Sequence, residues 1–565
     1  MSRKKMRFLR ATGHIQRFFQ QNCQFILALF FFNYLTVSWS LLHNGQYEVS
    51  WVYGLSLFLG ISLTAALLQL VRYSWLRRSL QLSLLIPSGL FFCLEAFAVY
   101  NYKALLGAGI INALLETNSQ EALEFSKMYI GWQGIALLFL TAAGLFAIRQ
   151  YRLPVRIRIS RRRQNRLVLG LLFLCLLASL RLGSAYMPLL TADTLDLPAL
   201  RVYAATRTAI RNINTYKDLE AKVSTDIDLH ENQSNIPNIV FILGEATNRN
   251  YMHVYGYNLP NTPNLDELKG KNELAVFSDT ISAHSITTAS LKVLFTFCDY
   301  ESDKEWYTYH NLIDVMNSAG YKTHWLSNQE SFGIWGNVAQ IFAKRSTVHE
   351  FTRLRDSHED FGSLDEELFP LLDKALAQRA AKNFYVLHLM GGHSAYYSRY
   401  PYAFAKFQPG DIRRDVSDEK KLVLAQYTNA LYYNDYIVSG IFDKFRDTEA
   451  LVIYLPDHGE TIYDDSGLAG HVEENPNRHM LEVPLIIWAS DSFKAKHPEK
   501  WAAIQAAVSE PYMTDDMIHT VLDLADIKPA EFDPAKSVVN PAFDSSRPRL
   551  NQGRNYDTDI RPDKK

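Results

Sequence analysis

The sequence predicts two domains of different class, an N-terminal α-helical membrane domain with five transmembrane helices and a C-terminal α/β sandwich domain. Five long apolar stretches occupy the first third of the 565 residues. The charge also divides near residue 183, with 20 basic and 5 acidic residues before it and 38 basic and 54 acidic residues after it. Later in the chain, short apolar runs alternate with helical patterns. We therefore expect a membrane domain over 1–185, an interfacial or bridging helix and linker over 186–235, and an outer domain over 236–565.

The apolar stretches have the length that membrane spans require, since about 20 apolar residues in a helix cross a bilayer core. One such stretch is also typical of a buried helix in a soluble protein, but five in succession with short polar loops favour membrane spans. The first is too long for a cleaved signal peptide, and no small-residue cleavage site follows it. The stretches cover residues 25–42, 51–71, 80–100, 129–148 and 167–182.

Basic residues in the loops predict the orientation of these spans, because cytoplasmic loops carry the excess of Lys and Arg. The N-terminus, the second loop and the fourth loop are basic, the last with eight arginines between residues 149 and 166. The only Lys or Arg residues of the first and third loops are Lys103 and Lys127. The N-terminus is therefore predicted inside and the outer domain outside. The arginine run fits a topology signal facing anionic lipid better than a nucleic-acid site, so we expect a lipid bilayer and no nucleic acid as partner.

Two polar segments leave alternatives open. The third loop, residues 101–128, carries Glu116, Glu121 and Glu124, and carboxylates beside the outer membrane face would suit a lipid ammonium group. A solvated loop helix explains the same residues equally well. Residues 197–222 have an apolar face with interspersed basic residues, which is typical of an interfacial helix on the membrane, with a plain linker helix as the alternative.

In the outer domain, continuous apolar runs predict strands of a parallel sheet that is buried on both faces. Such sheets carry their ligand sites beyond the carboxyl ends of the strands. The tail from about residue 537 is polar and contains prolines, and we expect it to be loosely ordered. The predicted strands cover residues 238–243, 323–326, 383–389, 451–455 and 484–488.

Acidic and histidine side chains follow three of these runs. Glu245 comes directly after the first run, and His393 follows the third. Asp457 and His458 follow the fourth, and His471 lies shortly beyond. A single histidine is more often an ordinary surface or core residue. Carboxylates and imidazoles that meet at one sheet edge, however, have the composition of a zinc or di-zinc hydrolytic site.

A hydroxyl-rich segment supplies candidates for a nucleophile. Residues 282–291 contain Ser285, Thr287 and Thr288 just before an apolar helical run. A hydroxyl at a helix N-terminus is close to backbone N–H groups that also bind phosphate, although a simple N-cap explains such a segment as well. Cys298 is the only cysteine of the outer domain, so the sequence predicts no disulfide within it.

The outer domain also contains an ordered set of short motifs. They are GEATNRN with YGY (244–257), LHLMGGHSAYYSRYP (387–401), YYNDY (432–436), DHGE (457–460) and EVP (482–484). Together they resemble the motifs of bacterial phosphoethanolamine transferases in the alkaline phosphatase/sulfatase superfamily, and the resemblance covers nearly the whole chain. It implies an alkaline phosphatase-like catalytic domain in the periplasm, anchored in the inner membrane. It further implies phosphatidylethanolamine as donor, lipopolysaccharide as acceptor and one or two Zn²⁺ ions.

The resemblance assigns roles to individual residues. Glu245, Asp457 and His458 match the family's zinc ligands, with the nucleophilic threonine as the fourth. Thr287 matches that threonine, since it lies ten residues before Phe297 as the family's spacing requires. The implied reaction is attack of the zinc-activated threonine hydroxyl on phosphatidylethanolamine, release of diacylglycerol, and transfer of the phosphoethanolamine group from a phosphothreonine to the acceptor.

Further positions match with different strength. His393 and His471 match residues that contact the phosphate or a second zinc ion. Thr117 and Glu121 in the third loop resemble a substrate-binding pair. The family pattern also has an asparagine four residues before that threonine, and here Asn112 is displaced from that position by one residue.

Two departures from the family bear on the acceptor. The members that modify lipid A have disulfides in the outer domain and a Cys-x-Thr-type nucleophile segment, and this chain has neither. Its segment LKVLFTF (291–297) is closer to the CptA-like subgroup, which decorates the lipopolysaccharide core. The resemblance therefore favours a core sugar over lipid A as acceptor.

The alternative is a related membrane phosphoglycerol transferase or a phosphodiesterase or sulfatase-like hydrolase. A sulfatase requires a Cys or Ser within a C/S-x-P-x-R motif, and no such motif lies near Thr287. A non-enzymatic binding protein would have lost metal ligands, and all the matched ones are present. His284 and His388 are interpreted as structural residues.

Overall fold

The structure is a computed structural model, and the chain divides into two compact units. The first comprises Met1–Asn112 with Tyr129–Ala209, and the second comprises Ala113–Met128 with Ile210–Lys565. The predicted domain borders near residues 185 and 235 remain predictions. The structure describes residues 3–43, 47–102, 227–330, 338–353, 364–465 and 467–561, together with isolated positions between 105 and 207.

Long helices form the described part of the first unit: α1 (Arg3–His43), α2 (Tyr47–Leu68) and α3 (Ser74–Tyr102). Both α2 and α3 pack against α1. The contact between α1 and α3 includes one buried polar pair, in which the Thr36 hydroxyl donates to Oε2 of Glu95 at 2.5 Å. A buried carboxylate needs such a donor, because an unpaired one is costly in an apolar environment.

Two of the described helical segments are long and apolar enough to cross a membrane, Ser50–Leu68 and Ser74–Tyr100. They overlap the second and third predicted spans. The first predicted span lies within the described helix α1. The predicted count of five spans is therefore not confirmed. Other predictions lie wholly or almost wholly outside the described residues: the spans at 129–148 and 167–182, the helix at 197–222, and the third-loop residues Asn112, Thr117 and Glu121.

The second unit alternates strands and helices. Its helices are α4 (Pro263–Gly270), α5 (Thr287–Leu294), α6 (Leu312–Ser318), α7 (Val338–Arg345), α8 (Leu368–Ala377), α9 (Asp418–Phe445), α10 (Arg478–Leu481), α11 (Asp491–Lys496), α12 (Pro498–Ala506) and α13 (Met517–Leu524). Its strands are β1 (Leu229–Asn232), β2 (Asn238–Gly244), β3 (Leu274–Phe277), β4 (Thr280–Ile281), β5 (Lys322–Glu330), β6 (Val348–Arg353), β7 (Asn383–His388), β8 (Ala450–Pro456), β9 (Thr461–Ile462), β10 (Ala469–Gly470), β11 (Leu485–Ala489), β12 (Tyr512–Met513), β13 (Ile527–Pro529), β14 (Leu550–Asn551) and β15 (Arg554–Asn555).

A seven-stranded sheet in the order β3-β11-β8-β2-β7-β5-β6 forms the centre of the second unit. Strands β8, β2, β7, β5 and β6 are parallel. The register pairs Gly244 with Pro456, and Leu243 with His388. The segments that follow β2, β7 and β8 therefore start side by side at one edge of the sheet.

The predicted strand at 484–488 exists, but the expectation of a wholly parallel sheet is wrong. β11 runs antiparallel to both of its neighbours, β8 and β3. A parallel strand would need a connection that returns the chain to the opposite edge of the sheet. The described chain between Pro456 and Leu485 contains only a small hairpin and the one-turn helix α10, so it re-enters the sheet from the edge where it left. β3 and β6 were not predicted.

Side chains of β2 alternate between two hydrophobic cores, one on each face of the sheet. Ile239, Phe241 and Leu243 belong to the core that includes residues of α5, α6, α7 and α13. Val240 and Ile242 belong to the core that includes residues of α4, α8 and α9. This arrangement is the three-layer α/β/α sandwich that the alternating pattern predicts.

The C-terminal tail is ordered through Arg561, which corrects the expectation of a loose tail for the described residues. β14 and β15 form a hairpin, and the buried Tyr556 donates its hydroxyl to Oε1 of Glu482 at 2.5 Å. The buried guanidinium of Arg549 pairs with Asp279 at 3.1 Å and with Asp557 at 2.5 Å. The tail is polar in composition because its attachment consists largely of ion pairs, which satisfy charges that would otherwise be costly to bury.

Candidate metal and nucleophile site

Two buried carboxylates lie side by side where β2 and β8 end. The backbone N–H of Asp457 donates to the Gly244 carbonyl at 3.2 Å, which places Asp457 next to Glu245. Oδ1 of Asp457 accepts from the N–H groups of Ala246 at 3.3 Å and of His458 at 2.8 Å. Oδ2 of Asp457 is buried and has no hydrogen-bond partner among the residues that the structure describes. An oxygen without a donor beside a second carboxylate is an arrangement that a cation stabilises.

The imidazole of His458 completes this group. Its Nδ1 lies 2.8 Å from the Gly459 carbonyl oxygen, to which only a protonated nitrogen can donate. Nε2 therefore faces the carboxylates, 3.2 Å from Oε1 of Glu245 and 3.5 Å from Oδ2 of Asp457. A backbone carbonyl that fixes one ring nitrogen is the usual way in which a metal-binding histidine is oriented.

Thr287 brings a hydroxyl to the same point. It is the first residue of α5, and its Oγ1 lies 3.3 Å and 3.2 Å from the two carboxylate oxygens of Glu245. The distance from Oγ1 to Nε2 of His458 is 3.4 Å. Its neighbour Thr288 is buried in the same first turn. Successive side chains on a helix point about 100° apart, so the two hydroxyls face different directions.

The chemistry of this group fits a zinc ion. Glu245, Asp457 and His458 each offer one ligand atom, and these atoms lie within 4.8 Å of one another in a fully buried setting. Two oxygens and one nitrogen with a hydroxyl nearby form a four-ligand set of the kind that catalytic zinc takes. The structure thus brings together the zinc-ligand set and the nucleophile that the sequence predicts.

A second group adjoins the first and includes a residue that the sequence analysis missed. His458, Glu460 and His471 also offer ligand atoms within 4.8 Å of one another. Nδ1 of His471 lies 2.7 Å from Oε2 of Glu460, and the rings of His458 and His471 are 4.1 Å apart. The buried Tyr396 donates its hydroxyl to Oε1 of Glu460 at 2.5 Å. Glu460 belongs to the DHGE motif, which was the signal that would have found it.

His393 follows a two-glycine turn that packs directly on Glu245. A Cβ atom at Gly391 would lie 2.8 Å from the Glu245 carbonyl oxygen, and one at Gly392 would lie 2.7 Å from the Ala246 carbonyl oxygen. The turn is held by the hydrogen bond from the Gly392 N–H to the Glu245 carbonyl at 2.9 Å. His393 itself is partly buried and close enough to Glu245 for its charge to lower the pKa of that carboxyl. It belongs to neither of the two ligand groups found among the described residues.

The site residues perturb one another strongly without a metal. Burial raises the pKa of Asp457 to about 8, and the negative charge of Glu245 adds to the effect. Burial also opposes ionisation of Glu245, but the hydrogen bond and charge of His458 hold its pKa below the usual range. Burial lowers the pKa of His458, yet the two carboxylates outweigh it and raise the value to about 10. A bound cation would take the place of the protons that this arrangement retains.

Other polar side chains support the site without having been predicted. Nε2 of Gln329, at the end of β5, donates to Oε2 of Glu245 at 3.3 Å and to the Leu389 carbonyl at 3.2 Å. The buried carboxylate of Asp365 accepts from the N–H groups of Met390 at 2.8 Å and Gly391 at 3.0 Å. The predicted strand at 323–326 ended too early to point to Gln329, and no sequence pattern marks Asp365.

The two histidines interpreted as structural have protein partners. Nδ1 of His388 lies 3.3 Å from the Ser327 hydroxyl, its ring contacts Trp325 edge to face, and burial lowers its pKa to about 4. Nδ1 of His284 lies 2.6 Å from Oε1 of Glu473. Both imidazoles therefore have hydrogen-bonding partners within the protein.

Comparison with known proteins follows the division into two units. A family model described as Sulfatase matches residues 237–527, which is more than half of the chain. A second model, described as Phosphoethanolamine transferase EptA/EptB, matches residues 61–194. The chain therefore belongs to the sulfatase family, on an alkaline phosphatase-like fold, and the second match confirms the resemblance to phosphoethanolamine transferases.

Several individual relatives are named as phosphoethanolamine transferases. The chain is 31% identical to Phosphoethanolamine transferase CptA of Salmonella typhimurium strain LT2 over 54% of its own length. It is similar to the zinc complex of the C-terminal periplasmic domain of EptC from Escherichia coli, with 28% identity, a TM-score of 0.55, and coverage of 60% of this chain and 97% of that one. It also shares the fold of the integral membrane protein lipooligosaccharide phosphoethanolamine transferase A from Neisseria meningitidis, with a TM-score of 0.64, 19% identity, and coverage of 91% and 97%. The chain spans about half the length of the first curated relatives it matches.

Proposed function

We propose that this protein transfers phosphoethanolamine from phosphatidylethanolamine to a lipopolysaccharide acceptor through a covalent phosphothreonine on Thr287. The observation that carries the proposal is the position of the Thr287 hydroxyl, 3.2 Å from a Glu245 oxygen and 3.4 Å from Nε2 of His458. A hydroxyl beside a metal-ligand set is the arrangement that an activated nucleophile requires.

Zinc is the proposed cofactor, with one or two ions. Glu245, Asp457, His458 and the Thr287 hydroxyl would hold one ion, and the donor-free Oδ2 of Asp457 supports this assignment. When bound, zinc supplies positive charge that lowers the pKa of a nearby hydroxyl and stabilises negative charge on phosphate oxygens.

The remaining steps belong to residues of the chain. Thr287 Oγ1 gives up its proton and forms a bond to phosphorus while the bond from phosphorus to the diacylglycerol oxygen breaks. The diacylglycerol oxygen takes up a proton and leaves as an alcohol, and phosphoethanolamine stays on the threonine. An acceptor hydroxyl then attacks the same phosphorus and Thr287 leaves. Because Glu460 accepts from Nδ1 of His471, that imidazole keeps Nε2 for the transferring phosphate oxygens. We assign the same kind of phosphate contact, or contact with a second zinc ion, to His393.

The acceptor we favour is a sugar of the lipopolysaccharide core rather than lipid A. The similarity to CptA supports this choice. So does the nucleophile segment, in which Ser285 replaces the cysteine of a Cys-x-Thr sequence before Thr287 and LKVLFTF (291–297) resembles the CptA-like subgroup. Relatives named Kdo(2)-lipid A phosphoethanolamine 7''-transferase also match the chain, at 28% identity over half of its length. The core-type acceptor is thus a preference within one family.

Location follows from the substrates. Both donor and acceptor are amphiphiles, and a membrane-anchored enzyme meets them in the same bilayer. The apolar segments Ser50–Leu68 and Ser74–Tyr100 support an inner-membrane protein with several spans and a periplasmic catalytic domain. The third-loop residues Asn112, Thr117 and Glu121 remain proposed contacts for the lipid substrate.

The decisive experiment is mass spectrometry of lipopolysaccharide from cells with and without the protein. A phosphoethanolamine mass increment on core fragments that requires the protein is the expected result, and an increment on lipid A would change the acceptor. A phosphoglycerol increment would support the related transferase. Loss of phosphatidylethanolamine without any new adduct would support the hydrolase that the sulfatase family match leaves as alternative. A matched strain carrying Thr287→Ala is the control.

A further inference from the structure

The nucleophile-bearing segment is held in place by side chains that lie outside the site. Thr287 starts α5, and Ile286 in the N-cap position provides no side-chain cap. The preceding residues Ser282, Ala283 and Ser285 are buried. Cys298, the cysteine of the second unit, is free, so no disulfide fixes this segment. Its position depends on the packing of Ala283 and Val293 in a hydrophobic cluster and on hydrogen bonds to other segments of the unit, such as that from the Ser285 hydroxyl to the Val472 carbonyl at 2.8 Å.

Glu473 supplies the most concentrated of these contacts. Its Oε1 lies 2.6 Å from Nδ1 of His284. Its Oε2 accepts from the backbone N–H of Ser285 at 2.9 Å and lies 3.0 Å from the Ser285 hydroxyl. The carboxylate is largely buried, with 12% of its side chain exposed.

The C-terminal hairpin holds the other side of the same segment. Nδ2 of Asn551 donates to the Ala283 carbonyl at 2.8 Å, and both groups are buried. The side chain of Gln552 donates to the backbone carbonyl of Glu473. The nucleophile segment, the segment around Glu473 and the chain terminus are thereby joined. This also explains why the polar tail is ordered.

Glu473 lies two residues after His471 in the same segment. Movement at Glu473 would shift both the nucleophile and this phosphate contact. We propose that Glu473 is a positioning residue, which holds His284 and Ser285 and so fixes the Thr287 hydroxyl against Glu245 and His458. The inference rests on the proposed role of Thr287 as nucleophile.

The expected consequence is a loss of rate rather than of metal. A nucleophile displaced by about 1 Å loses on the order of a hundredfold in rate. For Glu473→Ala we expect kcat to fall by about 10- to 100-fold, with KM for phosphatidylethanolamine and bound zinc close to those of the wild type. Glu473→Gln keeps an acceptor oxygen for Ser285 and should recover part of the lost rate. His284→Ala should reduce kcat less than Glu473→Ala. The double variant should be no worse than Glu473→Ala, because the contact between His284 and Glu473 is already lost in that single variant.

A matched control lies in the same unit. Glu531 pairs with His310 at 2.5 Å and accepts from its backbone N–H at 3.3 Å, so it makes the same type of contact. It acts at the other end of α5, where the His310 carbonyl accepts from the Phe297 N–H at 3.3 Å, ten residues after Thr287. Glu531→Ala should leave kcat unchanged. A fall in kcat of equal size in both variants would overturn the proposal, because the loss would then be a general effect of breaking such a pair.

Hydrogen exchange separates this inference from the proposed function. In the full-length protein without substrate, amide exchange in a peptide covering 282–294 should rise by about tenfold in Glu473→Ala and not in Glu531→Ala. Unchanged exchange in Glu473→Ala would overturn the positioning role even if the enzyme proved to be a transferase. Faster exchange in Glu473→Ala, combined with a wild-type protein that has no transferase activity, would support the positioning role of Glu473 and reject the proposed function. If Glu473→Ala does not fold, the same exchange comparison can be made with His284→Ala, because His284 is less buried than Glu473.

Discussion

The hydroxyl of Thr287 lies 3.2 Å from Glu245, and its neighbour Thr288 is directed elsewhere by the helical rotation. We predict that Thr287→Ala abolishes transfer, with a loss on the order of a thousandfold or more, whereas Thr288→Ala keeps a measurable fraction. Incubation of the detergent-solubilised protein with phosphatidylethanolamine and no acceptor should trap phosphoethanolamine on Thr287. Peptide mapping that located the adduct on Thr288, or an active Thr287→Ala protein, would overturn the assignment.

The proposed metal ligands and the proposed phosphate contact should respond differently to truncation. Asp457→Ala removes a buried ligand and should lower both zinc content and activity, since ligand loss weakens binding by at least about tenfold. His471→Ala should lose more activity than zinc, because we assign that imidazole mainly to the phosphate. Zinc per protein measured by elemental mass spectrometry, beside the transfer rate, checks both. Equal zinc loss in the two variants would make His471 an ordinary ligand.

Among the structural elements, the two-glycine turn after β7 has no room for added volume. A Cβ at Gly392 would lie 2.7 Å from the Ala246 carbonyl oxygen, and 3.1 Å from the ring of Tyr427. We predict that Gly392→Ala costs about 1–3 kcal/mol of unfolding free energy and reduces activity by displacing Glu245. Gly410→Ala is the control, because nothing lies within 4 Å of its Cβ position. Denaturant unfolding and transfer rates of both variants measure the effect. Equal behaviour of the two would contradict this account of the turn.

Strand β5 contains a buried histidine that makes stability depend on pH. Burial lowers the pKa of His324 to about 4, and both ring nitrogens are without hydrogen-bond partners among the described residues. The unfolded chain binds the proton more tightly, so the contribution is complete above pH 6.5 and is lost as the pH falls toward 4. We predict that wild-type protein loses about 2 kcal/mol more unfolding free energy between pH 7.5 and pH 4.5 than His324→Leu does. Denaturant unfolding at the two pH values tests this, and equal losses would refute it.

For the whole molecule, the charge pattern predicts that the outer domain lies across the membrane from the N-terminus. A periplasm-dependent phosphatase reporter fused after residue 222 should be active, and one fused after residue 158 should be silent. Activity of the second fusion and silence of the first would reject the five-span arrangement. The described residues support two spans, so this experiment decides a count that hydropathy alone proposed.

Prediction from the sequence worked best where one local pattern had one structural solution. The continuous apolar runs before Glu245 and Asp457 could only be buried in the interior of a sheet, and residues after such strands meet at one edge. The direction of β11 was not predictable in the same way, because an apolar run looks the same in a parallel and an antiparallel strand. The polar tail was misjudged for a related reason: ion pairs such as Arg549 with Asp279 leave no hydrophobic pattern.

The sequence by itself determined the α/β class of the second unit and predicted its zinc ligands and Thr287 as nucleophile, because strand ends and motif spacing are local properties of the chain. Only the tertiary structure decided which distant side chains support them. Gln329 and Asp365 converge on the site from separate segments, and Glu473 reaches His284 across 189 positions of sequence. A hydrogen bond between remote residues depends on how the layers pack, and that packing has no periodic signal in the chain.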